Sequence, residues 1–497
     1  MPIEPNSRFF RNAAVIGIAE AFARARALVV LPLIAHRFGA TGYGVWSQVT
    51  MLALLLMPLV LLNSQTGVIR QFSVLDAEKQ KQGMSAWLVW LFAAAAVWAV
   101  LVLLLRPWFA SLFFPGQPEL RALVPLAAAN IFVGTLPVVA RTWFRLRRNA
   151  FGMGAIPFGQ AMIQILAVAA GIALGRGLYE IVALTILADL VWVGGLLLTA
   201  LTRAGWRRPD FALLPSVLRF GLPLLPTAYA IWCLNWIDRL FVVHYRGLAD
   251  VGIYAAAVGI GFVVIQVFAT PIFTMYPNVA TELYHKDAMT EINAVTRSSG
   301  RLSIALVLPS AVALWILGPR VLVLMGGAAF ASGSAVIPVI TLAYLVLAVA
   351  NYDMVALGLV YRQHFTSVAL ALALAVNIAL NFALIPRFGI MGAAIATLLA
   401  FCVQLAGVRW AAMRYVPGWQ GVAFSWEVVL SAALMGAGLF VLDRWIAGMG
   451  WAGFVVLVCA GALLSMIAYL MLGVVTITQL RTAIPEMMIR SPRRMEP

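Results

Sequence analysis

Long apolar runs, separated by short clusters of charge, proline and glycine, make up most of the chain. Runs such as MLALLLMPLVLL and SVALALALAVNIAL show no alternation of apolar and polar residues, so they predict helices and not the strands of a membrane barrel. A helix needs about 20 apolar residues to cross a bilayer. The pattern therefore predicts fourteen spanning helices, at residues 13–37, 43–65, 84–105, 122–143, 154–174, 179–201, 217–243, 252–279, 300–318, 334–360, 365–385, 390–412, 426–443 and 451–475.

The composition supports this prediction. Of the 497 residues 63% are hydrophobic and 10% are charged, and the mean hydropathy is +0.98. A soluble domain has about 25% charged residues, so this chain lacks the residues to build a water-facing surface. We therefore predict an all-α polytopic membrane protein.

The formal net charge of +16 is unevenly placed along the chain. Of the 34 Lys and Arg residues, 23 fall on one side of the predicted helices, 8 on the other side and three within the spans. Because basic residues favour cytoplasmic loops, both termini are predicted to be cytoplasmic. The basic excess then reflects topology and contact with anionic lipid head groups, and we expect no nucleic-acid partner.

An internal repeat relates the two halves of the chain. The segment HRFGATGYGVW resembles HYRGLADVGIY 208 residues later, and ALGRGLYEIVAL resembles LIPRFGIMGAAI at a displacement of about 212. In each segment a helix ends, a short turn passes through glycine and the next helix begins. In the first pair His36 matches His244, Gly39 matches Gly247 and Gly44 matches Gly252.

This repeat predicts two lobes with a binding site between them. Each lobe has six spans, an even number, so the two lobes are parallel and surround a central cavity. We assign residues 1–208 to an N-lobe with helices 1–6 and residues 209–415 to a C-lobe with helices 7–12. Residues 416–497 hold helices 13 and 14 and a basic cytoplasmic tail.

Three charges lie inside the first predicted span. Glu20 and Arg24 are four residues apart and share one face of a helix, so they can pair. Arg26 points about 160° away from Arg24 and joins the same cavity only if the helix is bent. Charges inside a membrane face a cavity or a partner, or they extend to the interface. Either interpretation is open for these three residues.

Five further charges are candidates for the cavity or for pairing between helices. Arg219 lies at the start of helix 7, before two prolines expected to kink that helix, and an interfacial role is equally compatible with its position. The others lie within spans, where a carboxylate can titrate, bind a cation or pair with an arginine. They are Asp189, Asp238, Arg239 and Asp353. Sequence neighbours diverge by 100° on a helix, so Asp238 is free to meet a cation on another helix.

The chain resembles the polysaccharide transporter family of bacterial oligosaccharide-lipid flippases, within the multidrug/oligosaccharidyl-lipid/polysaccharide exporter superfamily. The resemblance rests on LPLIAHRFGATGYGVWSQV, on FGLPLLPTAYAIWCLNWIDRLFVVHYRGLADVGIYAAA, on ATPIFTMYPNVATEL and on VNIALNFALIPRFGIMGAAIAT. It implies a flippase of the bacterial inner membrane that moves undecaprenyl-pyrophosphate-linked oligosaccharide outward by alternating access. It also implies coupling to Na⁺, H⁺ or the membrane potential, and as partners a polysaccharide polymerase and chain-length proteins. We expect a monomer without a bound cofactor.

Other functions stay open at this stage. A lipid II flippase shares the fourteen spans, whereas multidrug cation antiporters of the same superfamily usually have twelve. A membrane enzyme such as a polymerase or ligase needs a sizeable outer loop, and every predicted outer loop here is short. The four histidines show no metal spacing and no phosphate-binding loop follows a strand, so we expect neither a metal centre nor ATP hydrolysis.

Overall fold

The computed structural model describes residues 7–147, 149–204, 207–423, 425–446 and 450–472, and the regular structure in these ranges is entirely helical. Twelve helices in the described chain are long and apolar enough to cross a membrane. Two of them, Ala25–Leu61 and His364–Tyr415, each fold back at a glycine. The described chain therefore makes fourteen passes, which confirms the predicted fold class.

Both reversals depend on a glycine in a left-handed backbone conformation. Helix α1 (Ser7–Leu61) leaves helical geometry at Gly39, where φ is 68° and ψ is −170°. Helix α14 (His364–Tyr415) does so at Gly389, where φ is 57° and ψ is −137°. Glycine adopts these angles without a steric penalty from a β-carbon. The rings of Phe365 and Tyr415, at opposite ends of α14, stack with centroids 4.5 Å apart, so the two arms run antiparallel.

Helix α1 begins the N-lobe, which also contains two short helices, α2 and α4. The remaining N-lobe helices are α2 (Ser64–Phe72), α3 (Ala77–Leu104), α4 (Arg106–Phe113), α5 (Val124–Leu146), α6 (Ala150–Ala173) and α7 (Leu178–Ala204). Helix α3 begins seven residues before the predicted span at 84. Its polar first turns stay helical because Asp76 caps them, accepting hydrogen bonds from the backbone of Glu78 and Lys79.

The C-lobe follows, and in it one predicted spanning helix is divided into three shorter helices. Its helices are α8 (Leu214–Gly221), α9 (Leu225–Trp236), α10 (Asp238–Arg246), α11 (Leu248–Tyr284), α12 (Met289–Gly326), α13 (Val336–Leu359) and α14. The predicted seventh span, 217–243, is divided among α8, α9 and α10. A 3-10 turn at Leu222–Leu224 separates the first two, because Pro223 and Pro226 lack the backbone N–H that a continuous helix needs.

The last two helices pack on the C-lobe. Helices α15 (Trp426–Trp445) and α16 (Gly450–Met471) lie against α12. Arg320 Nε of α12 is 3.1 Å from Asp443 Oδ1 of α15, and the Tyr469 hydroxyl of α16 donates to the Ala305 carbonyl. The predicted basic tail lies outside the described residues.

The starts of the helices repeat the displacement seen in the sequence. Ala77 and Met289 begin α3 and α12, and Val124 and Val336 begin α5 and α13, each pair 212 residues apart. The helix starts of the two lobes therefore follow one pattern. The lobes differ in chemistry where residues at matched positions differ.

Candidate functional site

The two lobes meet where the second arm of α1 crosses α11. A β-carbon on Gly44 would lie 1.9 Å from the carbonyl oxygen of Leu248, and one on Gly252 would lie 2.0 Å from that of Ala40. The helices therefore touch backbone to backbone. This crossing lies at the helix ends that the charge pattern predicts to be on the outer side of the membrane.

Tyr43 lies beside this crossing, between charges of the two lobes. It is within electrostatic range of Arg26 in the N-lobe and of Arg239 in the C-lobe. Its ring centroid is 6.3 Å from that of Phe330. One candidate arginine from each lobe therefore lies near Tyr43.

Glu20 contacts a helix that the sequence did not single out as its partner. Glu20 Oε1 is 3.0 Å from Arg141 Nη1 of α5, and the two side chains are 31% and 41% exposed. The α1 backbone departs from helical angles only at Gly39, and the predicted pairing of Glu20 with Arg24 stays a prediction. The side chain of Arg24 lies outside the described part of the structure.

Arg26 enters the N-lobe on a different face of α1. Its Nη1 donates to Gln164 Oε1 of α6, and Gln164 Nε2 donates to Asp189 Oδ2 of α7. Gln160, one turn before Gln164, also interacts with Asp189. The structure thus joins two predicted site residues, Arg26 and Asp189, through an amide that donates to one and accepts from the other.

Asp238 and Arg239 contact each other at the start of α10, although sequence neighbours on a helix need not pair. Arg239 Nη1 is 3.6 Å from Asp238 Oδ1, which also accepts the Arg239 backbone N–H at 2.8 Å. Tyr254 of α11 donates to the other carboxylate oxygen, and the Arg239 guanidinium lies 4.4 Å from the centroid of the Trp236 ring. The expected cation on another helix is therefore not the partner of Asp238 in the described chain. A first-turn aspartate can accept a backbone N–H, and arginine is long enough to fold back over it.

Asp353 is buried within the C-lobe. Arg409 Nε of α14 donates to Asp353 Oδ2 at 2.8 Å, and Trp419 Nε1 donates to Oδ1 at 2.8 Å. Asn293 of α12 binds the segment that contains Trp419, because its side-chain amide donates to the Gly418 carbonyl at 2.7 Å. Asp353 of α13 thus joins α14 to the segment that follows the C-lobe, and its proposed cavity role stays a prediction.

Arg219 lies on α8, away from the other candidates, and its side chain is exposed. The helix itself is held against α2, because Gly67 lies against the backbone of Val217. Arg219 therefore joins neither of the polar clusters in the two lobes.

The partners Gln164, Tyr254 and Arg409 were missed by sequence reasoning. One signal was available: Arg141 and Asp353 are 212 residues apart, so the repeat places opposite charges at matched positions of α5 and α13. Each pairs with a group of opposite charge within its own lobe. Among the described pairs, Glu20–Arg141 is far more exposed than Asp353–Arg409, whose carboxylate is fully buried.

Other chemistry is limited in the part of the chain that the structure describes. No group of three or more His, Cys, Asp and Glu side chains there has the arrangement of a metal site. A cleft of about 290 Å³ lies at the predicted cytoplasmic end of α11 and α13, apart from the charged residues.

Comparison with known proteins gives a family and a fold. The family described as "Polysaccharide biosynthesis protein" matches residues 39–335. No curated protein matches the sequence. The structure of the lipid II flippase MurJ in an inward closed conformation is similar, with a TM-score of 0.74 and 13% identity over 96% of this chain and 100% of that one.

Multidrug transporters are also similar. An inward-facing MATE transporter of the MOP superfamily gives a TM-score of 0.63 at 14% identity, over 81% of this chain and 97% of that one. A MOP superfamily transporter from Pyrococcus furiosus, reported with a binding pocket of reversed polarity, gives a TM-score of 0.54 at 14% identity, over 81% of this chain and 95% of that one. At these identities the likeness shows the fold alone.

Proposed function

The chain belongs to the polysaccharide biosynthesis protein family, and from this we propose that it is a flippase for undecaprenyl-pyrophosphate-linked oligosaccharide. It would move the lipid-linked sugar from the inner to the outer leaflet of a bacterial inner membrane, for assembly of a surface polysaccharide. Alternating access of the two lobes would carry the polar head group. The gradient of an ion such as Na⁺ or H⁺, or the membrane potential, would supply the energy.

The observation that carries the proposal is the family match over residues 39–335 in a chain with a two-lobed transporter fold. The family supports a polysaccharide-related substrate, and the likeness to transporter structures supports a transport process. The resemblance inferred from the sequence motifs is confirmed at the level of the family.

The charges suggest how a pyrophosphate group could be received. Arginine offers several N–H donors in a planar array that suits phosphate oxygens. Among the ion pairs described within the spans, Arg141 has the most exposed arginine side chain, and its partner Glu20 is also partly exposed. We propose that pyrophosphate replaces Glu20 as the partner of Arg141. The pair is neutral when the site is empty, which lowers the cost of holding an arginine within the bilayer.

The Gly44–Gly252 crossing supports the proposed mechanism. It brings the lobes together at their predicted outer ends, so a head group would have access from the cytoplasmic side. Separation of this backbone contact would then open the outer side. Tyr43, between Arg26 and Arg239, lies where such a separation would begin.

A lipid II flippase is the second candidate. The similarity to MurJ extends over 96% of this chain, and so includes helices beyond the 81% that the multidrug transporters cover. Lipid II and the proposed substrate share the undecaprenyl pyrophosphate, so the residues of the site do not separate them. The chemical identity of the sugar that accumulates on the lipid would separate the two candidates.

Deletion of the gene, followed by analysis of lipid-linked glycans, tests the proposal. We expect loss of the surface polysaccharide and accumulation of its complete repeat unit on undecaprenyl pyrophosphate, confined to the inner leaflet. Accumulation of lipid II instead would favour the second candidate. Unchanged levels of both lipids, in cells shown to have lost the protein, would refute both.

A further inference from the structure

The cleft between α11 and α13 has the lining of a carbohydrate site. Its volume is about 290 Å³, near the lower end of small-molecule pockets. Its polar lining consists of Thr281, Tyr284, His285, Tyr361 and Gln363. These side chains offer hydroxyl, imidazole and amide groups together with two aromatic rings.

The cleft contains no formal charge from Asp, Glu, Lys or Arg among its described lining residues. The two nearest cations of the flanking turns are engaged elsewhere. Lys286 Nζ donates to Glu282 Oε1 at 2.7 Å, and the Arg362 guanidinium lies 5.6 Å from the centroid of the Tyr415 ring. Phosphate groups bind most strongly to arginine and lysine, so this lining favours a neutral ligand rich in hydroxyl groups.

Tyr361 closes the C-terminus of α13 in a left-handed conformation, with φ at 59°. The Arg362 N–H donates to the Leu357 carbonyl at 2.8 Å, and the Tyr361 N–H donates to the Gly358 carbonyl at 3.2 Å, which is a common way for a helix to end. Tyr361 is 87% exposed, and Gly358, three positions earlier, has no side chain that could cover the ring. An exposed aromatic ring beside hydrogen-bonding groups is suited to the apolar face and the hydroxyl groups of a sugar.

We propose that this cleft binds one or two neutral sugar units of the substrate's oligosaccharide, before the pyrophosphate enters between the lobes. The inference rests on the proposed function, because only a glycan substrate brings sugars to the cytoplasmic end of the C-lobe. Tyr361 stacks on a sugar ring, and Tyr284, His285 and Gln363 exchange hydrogen bonds with its hydroxyl groups. Recognition of the sugar is thereby separated from recognition of the pyrophosphate.

Saturation-transfer NMR on the purified full-length protein tests this proposal. The probe is the neutral oligosaccharide fraction that mild acid releases from the lipid-linked glycans of the source cells. Tyr361→Gly removes the ring and suits the left-handed backbone, so the variant should be at least as stable to heat as the wild type. Tyr361→Phe keeps the ring and is the matched control.

We expect sugar signals with the wild type and with Tyr361→Phe, and a decrease of about tenfold with Tyr361→Gly. Excess inorganic pyrophosphate should leave the signals unchanged. Absence of signal with the wild type, equal signal with Tyr361→Gly, or displacement by pyrophosphate would each overturn the proposal. The gene-deletion experiment remains independent, since accumulation of the lipid-linked glycan would uphold the flippase function even where the cleft binds no sugar.

Discussion

Gly44 and Gly252 face each other so closely across the two lobes that neither position has room for a β-carbon. Both glycines have counterparts at the same place in the sequence repeat, 208 residues apart. The repeat therefore preserves a contact between the lobes, in which each copy supplies the small residue that the other copy needs.

Alanine at Gly44 or Gly252 should weaken this contact. The added methyl group would lie about 2 Å from a backbone carbonyl, and overpacking of this kind costs about 1–3 kcal/mol. We expect a lower thermal unfolding midpoint of the purified protein, and slower disulfide crosslinking between cysteines placed at Tyr43 and Phe330. Gly259→Ala, on the same helix as Gly252 but with no atom within 4 Å of its β-carbon, is the control. An unchanged midpoint and crosslinking rate in Gly44→Ala would contradict the backbone contact.

The buried pair of Asp353 and Arg409 should contribute more to stability than an exposed pair. Arg409→Met leaves the fully buried Asp353 carboxylate without its counter-charge, and an unpaired buried charge costs about 3–5 kcal/mol. Glu282→Gln disrupts an exposed ion pair, in which the side chains of Glu282 and Lys286 are 69% and 62% exposed, and should leave the unfolding midpoint nearly unchanged. Thermal unfolding of both variants measures the difference. Equal midpoints would show that Asp353 is not held by this network.

Arg141 should be required for transport and not for folding. We expect Arg141→Gln to reduce surface polysaccharide by about tenfold or more at normal protein level, since a charged hydrogen-bonded contact to phosphate is lost. Arg141→Lys should restore only part of the activity, because lysine lacks the planar array of donors.

The control for Arg141 is Arg207→Gln. Arg207 pairs with Glu78, and its side chain is 47% exposed, compared with 41% for Arg141. The Arg207→Gln variant therefore removes a similarly exposed arginine that the proposal does not place in the site. Polysaccharide at wild-type level in Arg141→Gln would exclude Arg141 from substrate binding.

The chain of Arg26, Gln164 and Asp189 should behave as one unit. Gln164→Leu removes the amide between the two charges and should destabilise the protein by about 1–3 kcal/mol, because buried polar groups lose their partners. The double variant Arg26→Met, Asp189→Leu should be more stable than Asp189→Leu alone, since no unpaired charge remains. Thermal unfolding of the single and double variants checks this. Additive losses would indicate that Arg26 and Asp189 are energetically independent.

The positions of the membrane passes followed from local chemistry. The apolar runs predicted fourteen passes, and the structure has them, because a helix must satisfy its own backbone groups within a bilayer. The polar ends were less predictable. Helix α12 begins at Met289 although its predicted span begins at 300, since helices continue into water beyond the apolar run that identifies them.

Charged residues could be identified from the sequence more readily than their partners. Every candidate was visible as a charge in or beside an apolar run, including Glu20 and Arg26 on α1. Their partners Arg141 and Gln164 lie on α5 and α6, more than 100 residues away.

The sequence alone determined the membrane class, the number of passes, the repeat and the glycines at its turns, because these depend on periodicity and composition within one helix or hairpin. The tertiary structure decided that Glu20 meets Arg141, that Asp353 meets Arg409 and that Gly44 meets Gly252. Helical geometry specifies the direction in which a side chain points. Only the packing of the helices specifies which other helix lies in that direction.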